Sequence, residues 1–411
     1  MLYIVGAYTA ASIYDNGRLL VPSYLCLLAS IATISVHHSS LPWRAYMWAA
    51  VISGVVLLHS VLVLLWVDSG SESVRASVNL LYSLVLTATF YRALRGCDER
   101  TLRPLFGGIA ALILILAIAE RYLGLDVLSN YFRRIIYPSS LYIADHRDVL
   151  LYGGIRPKVF TLEPSYVALY FSLFLSAWLL SAPPRVSSML GAVMATGLAI
   201  YVMRSPIAAY AMYGAAITLI MGSAHAQSRL AWTVFVSAAV IFIPPLGLGY
   251  IASLAPDSFL GGASLINRFS VPFVIASNSI VETAIGYGLA ADVTLFRQLV
   301  DTSLLLGVSE ASGIGSITSG SALLANSFFY SVISFGLLGG VAFWLATYKY
   351  MRVVGSTWPL AGVAISATFL TLLGGLVTVQ VWFIFAIIAR SLDLRASHVS
   401  TDARLTLAAS H

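Results

Sequence analysis

The stretch VSSMLGAVMATGLAIYVMRSPIAAYAMYGAAITLIMGS, residues 186–223, decides the class of this fold, and it contains one charged residue, Arg204. As a single helix it would run about 57 Å, nearly twice the ~30 Å hydrocarbon core of a bilayer. The chain must therefore turn within it, and Met203-Arg204-Ser205-Pro206 marks the place. Ser205 suits a helix cap, and Pro206 suits the first helical position, where its missing N–H costs nothing. Two membrane spans on a tight hairpin follow, at 186–203 and 206–223.

Working outward, apolar runs of similar length recur from end to end. They predict spans at 19–35, 45–67, 76–94, 104–120, 164–182, 230–252, 326–348, 358–373 and 375–390 besides the two above. The expected fold class is an all-α integral membrane protein with about eleven (ten to twelve) transmembrane helices. The chain of 411 residues is 59% hydrophobic and 10% charged, with mean hydropathy +0.89. Soluble chains carry about 25% charged residues, so several soluble domains are excluded. One polytopic domain over 1–411 is expected. Residues 1–12 are too short for a full span and lack the basic start of a signal peptide; a partial helix or the remnant of a longer first span both fit.

The net charge of +6 does not point to nucleic acid, because no cluster of basic residues with aromatics lies on a polar face. Cys26 and Cys97 fall in different settings and suggest no disulfide framework. The short loops holding Arg44, Arg95/Arg100/Arg103, Arg185, Arg229 and Lys349/Arg352 fall on one side with the tail 391–411, which the positive-inside rule makes cytoplasmic. Two long polar interruptions, 121–163 and 254–325, then lie outside. Their arginines suit bidentate capture of phosphate or carboxylate, though loops are polar in any case.

Four local features could carry chemistry. The first long loop ends in Arg156-Pro-Lys158-Val-Phe-Thr-Leu-Glu163-Pro164-Ser165-Tyr166, which places Glu163 at a helix cap with Arg156 and Lys158 nearby in sequence. A plain cap with a loop ion pair is the simpler reading of the same residues. Arg204 stands on the hairpin, on the side the charge rule disfavours, where it is either a snorkelling arginine or a ligand. Ser264-Leu-Ile-Asn-Arg268-Phe precedes Ile285-Gly286-Tyr287-Gly288, whose glycines permit a tight turn or close backbone approach. Asn326-Ser-Phe-Phe-Tyr runs into Gly336-Leu-Leu-Gly339-Gly340, small residues that favour close helix packing. Loop aromatics such as Tyr131, Phe132, Tyr137, Tyr142, Tyr152, Phe160 and Tyr166 suit an interfacial belt first and sugar stacking second. No metal-ligand spacing, Walker A motif, G-x-S-x-G or chain of intramembrane carboxylates is present.

Taken in order, these four features resemble the bacterial O-antigen polymerase (Wzy) and O-antigen ligase (WaaL) superfamily, over about residues 100–350. Ligases of that superfamily carry a His before the Asn326-like position, then nine residues and Gly-x-x-Gly. Here that position is Ala325, and no histidine occurs in 254–325, so the resemblance favours a polymerase. It implies a GT-C-like membrane glycosyltransferase architecture in a bacterial inner membrane. The substrate would be an oligosaccharide repeat unit on undecaprenyl diphosphate, with no cofactor and no metal, and a chain-length regulator would be a candidate partner. Arg204, Arg156 and Arg268 would hold the diphosphate, with Lys158, Arg133 and Arg134 as helpers. Glu163 would deprotonate the acceptor hydroxyl or orient Arg156.

Overall fold

The computed structural model describes residues 1–15, 18–36, 42–65, 70–137, 148–149, 154–222, 226–254, 265–289, 291–306 and 323–409. The chain opens with α1 (Leu2–Thr9) and an antiparallel hairpin of β1 (Ile13–Asp15) and β2 (Arg18–Val21). There follow α2 (Tyr24–Val36), α3 (Trp43–Leu64), α4 (Gly70–Arg95), α5 (Glu99–Tyr122) and α6 (Asp126–Ile136). Next come α7 (Pro164–Leu180), α8 (Val186–Met203), a 3-10 turn Pro206–Ala209 that runs into α9 (Tyr210–Met221), and α10 (Ala226–Leu254). A π turn Ile266–Ser270 leads into α11 (Val271–Glu282), with α12 (Ala291–Thr294) and α13 (Phe296–Leu305) behind it. The chain closes with α14 (Ser327–Val354), α15 (Pro359–Leu370) and α16 (Val379–Ala409).

Among the described residues, five helices are long and apolar enough to cross a membrane: Trp43–Leu64, Glu99–Tyr122, Val186–Met203, Ser228–Pro245 and Ser327–Val354. Four more apolar helices are shorter: Tyr24–Val36, Pro164–Leu180, Pro206–Met221 and Pro359–Leu370. Their packing has the polarity of a membrane protein. On α3 the exposed stripe is Met47, Val51, Val55, Leu58 and Leu62, while Ala45, Ala49, Ser53 and Ser60 are among the buried residues. Lipid is as apolar as leucine, so helices associate there through small residues and interhelical hydrogen bonds. Ser60 pairs with Ser77 of α4 at 3.2 Å and Tyr46 with Thr89 at 3.0 Å.

One turn of α16 sets the level of four helices at one end of the bundle. Arg395 donates to Ala182 O just past α7 (3.2 Å) and to Thr218 O in the last turn of α9 (3.1 Å). Arg390 donates to Leu94 O at the end of α4 (3.1 Å) and to Cys97 O (2.7 Å). Asp393 accepts from the Thr357 amide (2.8 Å) just ahead of α15, and from the Tyr91 hydroxyl. Cations therefore sit on orphan carbonyls and the carboxylate lies near a helix start, as the helix dipole favours. Burial and the neighbouring Arg229 charge push the Arg395 guanidinium down to about 10, which leaves it charged at neutral pH. Next to this turn, the Thr101 hydroxyl and amide hold the α5 cap Asp98 below the usual carboxylate range.

Three boundaries differ from the sequence reading. Leu19-Leu20-Val21 prolongs the apolar run of α2 yet belongs to the β-hairpin, and Pro22 and Ser23 separate the two. The break between the last two spans is an unwound stretch over 371–378 rather than a point near 374. Residues 391–409, read as the tail, continue α16 as helix beyond the span end at 390.

Candidate functional site

The segment that leads to Glu163 is held at nearly every backbone group. Val159 (φ 38°) and Phe160 (φ 62°) both occupy the left-handed region, a costly conformation for non-glycine residues that persists only under constraint. The constraint comes from three elements. The Glu120 carboxylate of α5 accepts from the Lys158 amide at 3.0 Å and from the Val159 amide. Ser129 of α6 accepts from Phe160 N at 3.1 Å, and Tyr8 of α1 donates to Val159 O at 2.9 Å. Arg133 is fully buried and uses all three guanidinium nitrogens: on Thr161 O (2.7 Å), Leu162 O (2.9 Å) and Asn130 Oδ1 (2.7 Å). Arg133 is thus a clamp on the residues preceding Glu163.

Glu163 is the N-cap of α7 and Pro164 opens the helix, as the sequence implies. Its carboxylate does not cap a backbone amide; it accepts from the Ser165 hydroxyl at 3.1 Å. The Tyr166 phenol, one turn in, feels the charges of both Glu163 and Arg268. Arg268, on the buried π turn, donates to Leu372 O in the unwound 371–378 stretch. Its own carbonyl accepts from Asn326 Nδ2 at 2.8 Å, while Asn326 Oδ1 caps α14 through Phe329 N at 3.1 Å. Tyr210, also within reach of the Arg268 charge, pairs with Thr371 at 2.9 Å. Residues far apart in sequence therefore form one polar cluster: Glu163, Tyr166, Tyr210, Arg268, Asn326 and Thr371.

Arg204 ends α8 in the left-handed conformation (φ 46°), followed by Ser205 as cap and Pro206 at the first position of the 3-10 turn. Its guanidinium lies against Gly154, where an added Cβ would stand 3.0 Å from Nη1. Two residues on, Arg156 is locked to the fully buried Asp148, with Nε–Oδ1 at 2.9 Å and Nη2–Oδ1 at 2.8 Å. Arg121 donates to Tyr201 O and Val202 O, both at 2.6 Å, and so finishes the same α8 end that carries Arg204. A cleft of about 410 Å³ opens here between Glu120, Arg121, Asp126, Asn130, Gly154, Arg156 and Lys158. Lys158 is buried beside Glu120, whereas Arg134 is exposed on α6. Arg147, Ser264, Tyr142 and Tyr152 lie outside the described residues.

Helix length sets apart the elements that carry these residues. The α7, 206–221 and α15 segments span only roughly 18 to 26 Å, short of the ~30 Å core. The Asp393–Arg395 turn fixes one end of each at a common level. Their other ends bear Glu163, Arg204 and Thr371. The 410 Å³ cleft beside Gly154 is the recess at this end of the bundle.

A second device stands beside it. Gly336 breaks α14 (φ 69°, ψ 177°), and the 284–288 turn fits into the break. Tyr287 N donates to Ile333 O (2.9 Å) and Gly288 N to Ser334 O (2.8 Å). A Cβ on Gly336 would stand 2.2 Å from Ala284 O. The two glycine motifs thus form one contact, a closer approach than ordinary helix packing. In the same loop Burial and the Glu282 carboxylate push the Tyr287 phenol up to about 12, and burial pushes the Asp292 carboxyl above its usual range.

Sequence reasoning named Glu163, Arg204, Arg268 and Asn326 but missed Glu120, Asp148 and Tyr210. Asp148 carried a local signal, a carboxylate eight residues from Arg156 in a basic loop. Among the described residues no group of three His, Cys, Asp or Glu is placed to hold a metal ion. Compared with protein-family models, curated proteins and solved structures, the chain matches none.

Proposed function

We propose that this protein is a membrane glycosyltransferase that polymerises oligosaccharide repeat units carried on undecaprenyl diphosphate. In this reading about eleven helices cross a bacterial inner membrane in a GT-C-like arrangement, and the recess opens on the external face. One observation carries the proposal: the Glu163 carboxylate and the Arg268 guanidinium, from separate elements, both act on Tyr166, while Arg204 ends an apolar helix against Gly154 at the cleft. In this reading these ionisable groups lie at membrane depth, which is a functional-site signal.

The chemistry follows from those groups. A hydroxyl of one lipid-linked unit attacks the anomeric carbon of another, the glycosidic bond forms, and the bond to the lipid diphosphate breaks. Negative charge develops on the departing diphosphate, where guanidinium groups stabilise it. Arg204 and Arg268 take that role. Glu163 accepts the proton of the attacking hydroxyl. Arg156 and Arg133 act one step back: Arg156 through its pair with Asp148 beside Gly154, and Arg133 through its hold on 161–162. Lys158 and Arg134 add positive potential, and a chain-length regulator is a candidate partner. Ala325, where the ligases carry histidine, favours polymerisation over transfer to a lipid A core.

The test is extension of a defined lipid-linked repeat unit by the purified protein. Products of two or more units, lost in Glu163→Gln and Arg204→Ala at equal protein level, are expected. Movement of the carrier lipid across a vesicle membrane without any longer glycan would overturn the proposal in favour of a transporter.

A further inference from the structure

At the end of the bundle opposite the recess, a groove of about 520 Å³ runs between α5, α7 and α8. Its walls are apolar, and it lies within the ~300–1,000 Å³ range of ligand sites. Gly108 of α5 and Gly191 of α8 line it, and a Cβ added to either would meet nothing within 4 Å. Helix packing therefore does not explain the absence of side chains there; what the two glycines leave is open volume along the surface. On the floor lie the buried Phe171 and Leu175 of α7.

A cation marks one end of the groove. The Arg103 guanidinium sits over the Trp178 ring at 5.7 Å, and the same indole edge stands over Gly107. The Arg103 Nε is shielded and has no hydrogen-bond partner among the described residues, while the side chain as a whole is only half-buried. Arginine's planar fork matches phosphate oxygens, and an apolar channel that ends at such a group has the polarity of a phospholipid.

We infer that this groove holds one acyl chain of an anionic phospholipid from the surrounding bilayer, with the headgroup phosphate on Arg103. The inference rests on the membrane character of the chain and not on the proposed polymerase activity. The site lies on the Arg395 side, which the orientation given above makes cytoplasmic, where anionic headgroups attract basic residues.

The test is native mass spectrometry of the full chain released from bilayers that contain equal amounts of phosphatidylglycerol and phosphatidylcholine with the same acyl chains. One phosphatidylglycerol retained per chain is expected. Arg103→Gln and, separately, Gly108→Leu should each lower that retention roughly tenfold, the effect of losing one charge-assisted contact or the space for the chain. Arg352→Gln, which removes an exposed arginine from the same end of the bundle, should leave retention unchanged. Equal retention of both lipids, an unchanged Arg103→Gln, or an equal loss in Arg352→Gln would each overturn the assignment, since ordinary annular lipid gives those results.

Discussion

The two ends of this bundle use the same residue types for different ends. Around α16, Arg390, Asp393 and Arg395 are all committed to helix termini and adjoining turns, which fixes the depth of the helices that meet there. At the other end the charges divide. Arg133 and Arg156 are committed in the same way, to carbonyls and to Asp148. Arg204 is half-buried at a left-handed hairpin against Gly154, and the Glu163 carboxylate accepts from the Ser165 hydroxyl. The lesson is that an arginine in a polar loop is not by its presence a ligand.

That division can be broken by mutation. The largest effect is expected in Arg204→Ala, which should lower repeat-unit extension by about 100-fold or more, the order lost with a transition-state donor. Arg204→Lys should recover only part of the activity, because an ammonium lacks the bidentate fork. If Arg204→Ala left activity per folded molecule intact, Arg204 would belong with the arginines that build the fold.

Asp148→Asn should have the opposite profile. It removes the charge opposite a buried guanidinium, and such a loss costs about 3–5 kcal/mol. The expected result is a lowered unfolding midpoint, with residual folded protein still able to bind substrate. Replacing both partners with apolar residues of similar size should recover much of the loss.

Gly336→Ala sharpens the comparison from the backbone side. Its Cβ would collide with Ala284 O, and its φ is one that side chains disfavour. A cost of about 1–3 kcal/mol is expected, with faster amide exchange at Tyr287 and Gly288 as the 284–288 turn leaves α14. Unchanged exchange there would mean that the turn is held by something other than the helix break.

The smallest effect is expected at Asp292, whose carboxyl is raised by burial and accepts from the Tyr330 hydroxyl at 3.3 Å. A carboxyl raised in the fold is stabilising while protonated. That contribution is full below its unfolded pKa and is lost as pH rises through its folded pKa. Asp292→Asn should therefore stabilise slightly at neutral pH and flatten the dependence of stability on pH across that window. A steeper dependence in the variant would reverse the sign of this argument.

Much of this architecture was legible in the residues. The turn at 204–206 and the start of α7 at Pro164 were readable because proline and serine punctuate apolar runs for local steric reasons. The clamp around 158–162 was not readable. Arg133 and Glu120 act there on backbone carbonyls and amides, which every residue carries, so their targets leave no mark in the sequence. The role of 391–395 was hidden for a related reason: charges past the last apolar run look like a solvated tail until the helix ends they cap are in view. The β-hairpin was obscured by Leu19-Leu20-Val21, which hydropathy alone assigns to the next span.

The recess does the proposed chemistry only if it opens away from the cytoplasm. Native Cys97 is exposed beside the α16 turn and Cys26 is buried, while Arg134 is exposed on α6 near the recess. A membrane-impermeant maleimide applied to intact spheroplasts that carry the Arg134→Cys variant reads both sides at once. The account expects rapid labelling at position 134 and labelling of Cys97 only after the membrane is permeabilised. Labelling of Cys97 from outside, with position 134 protected, would put the recess in the cytosol and contradict the account at its root.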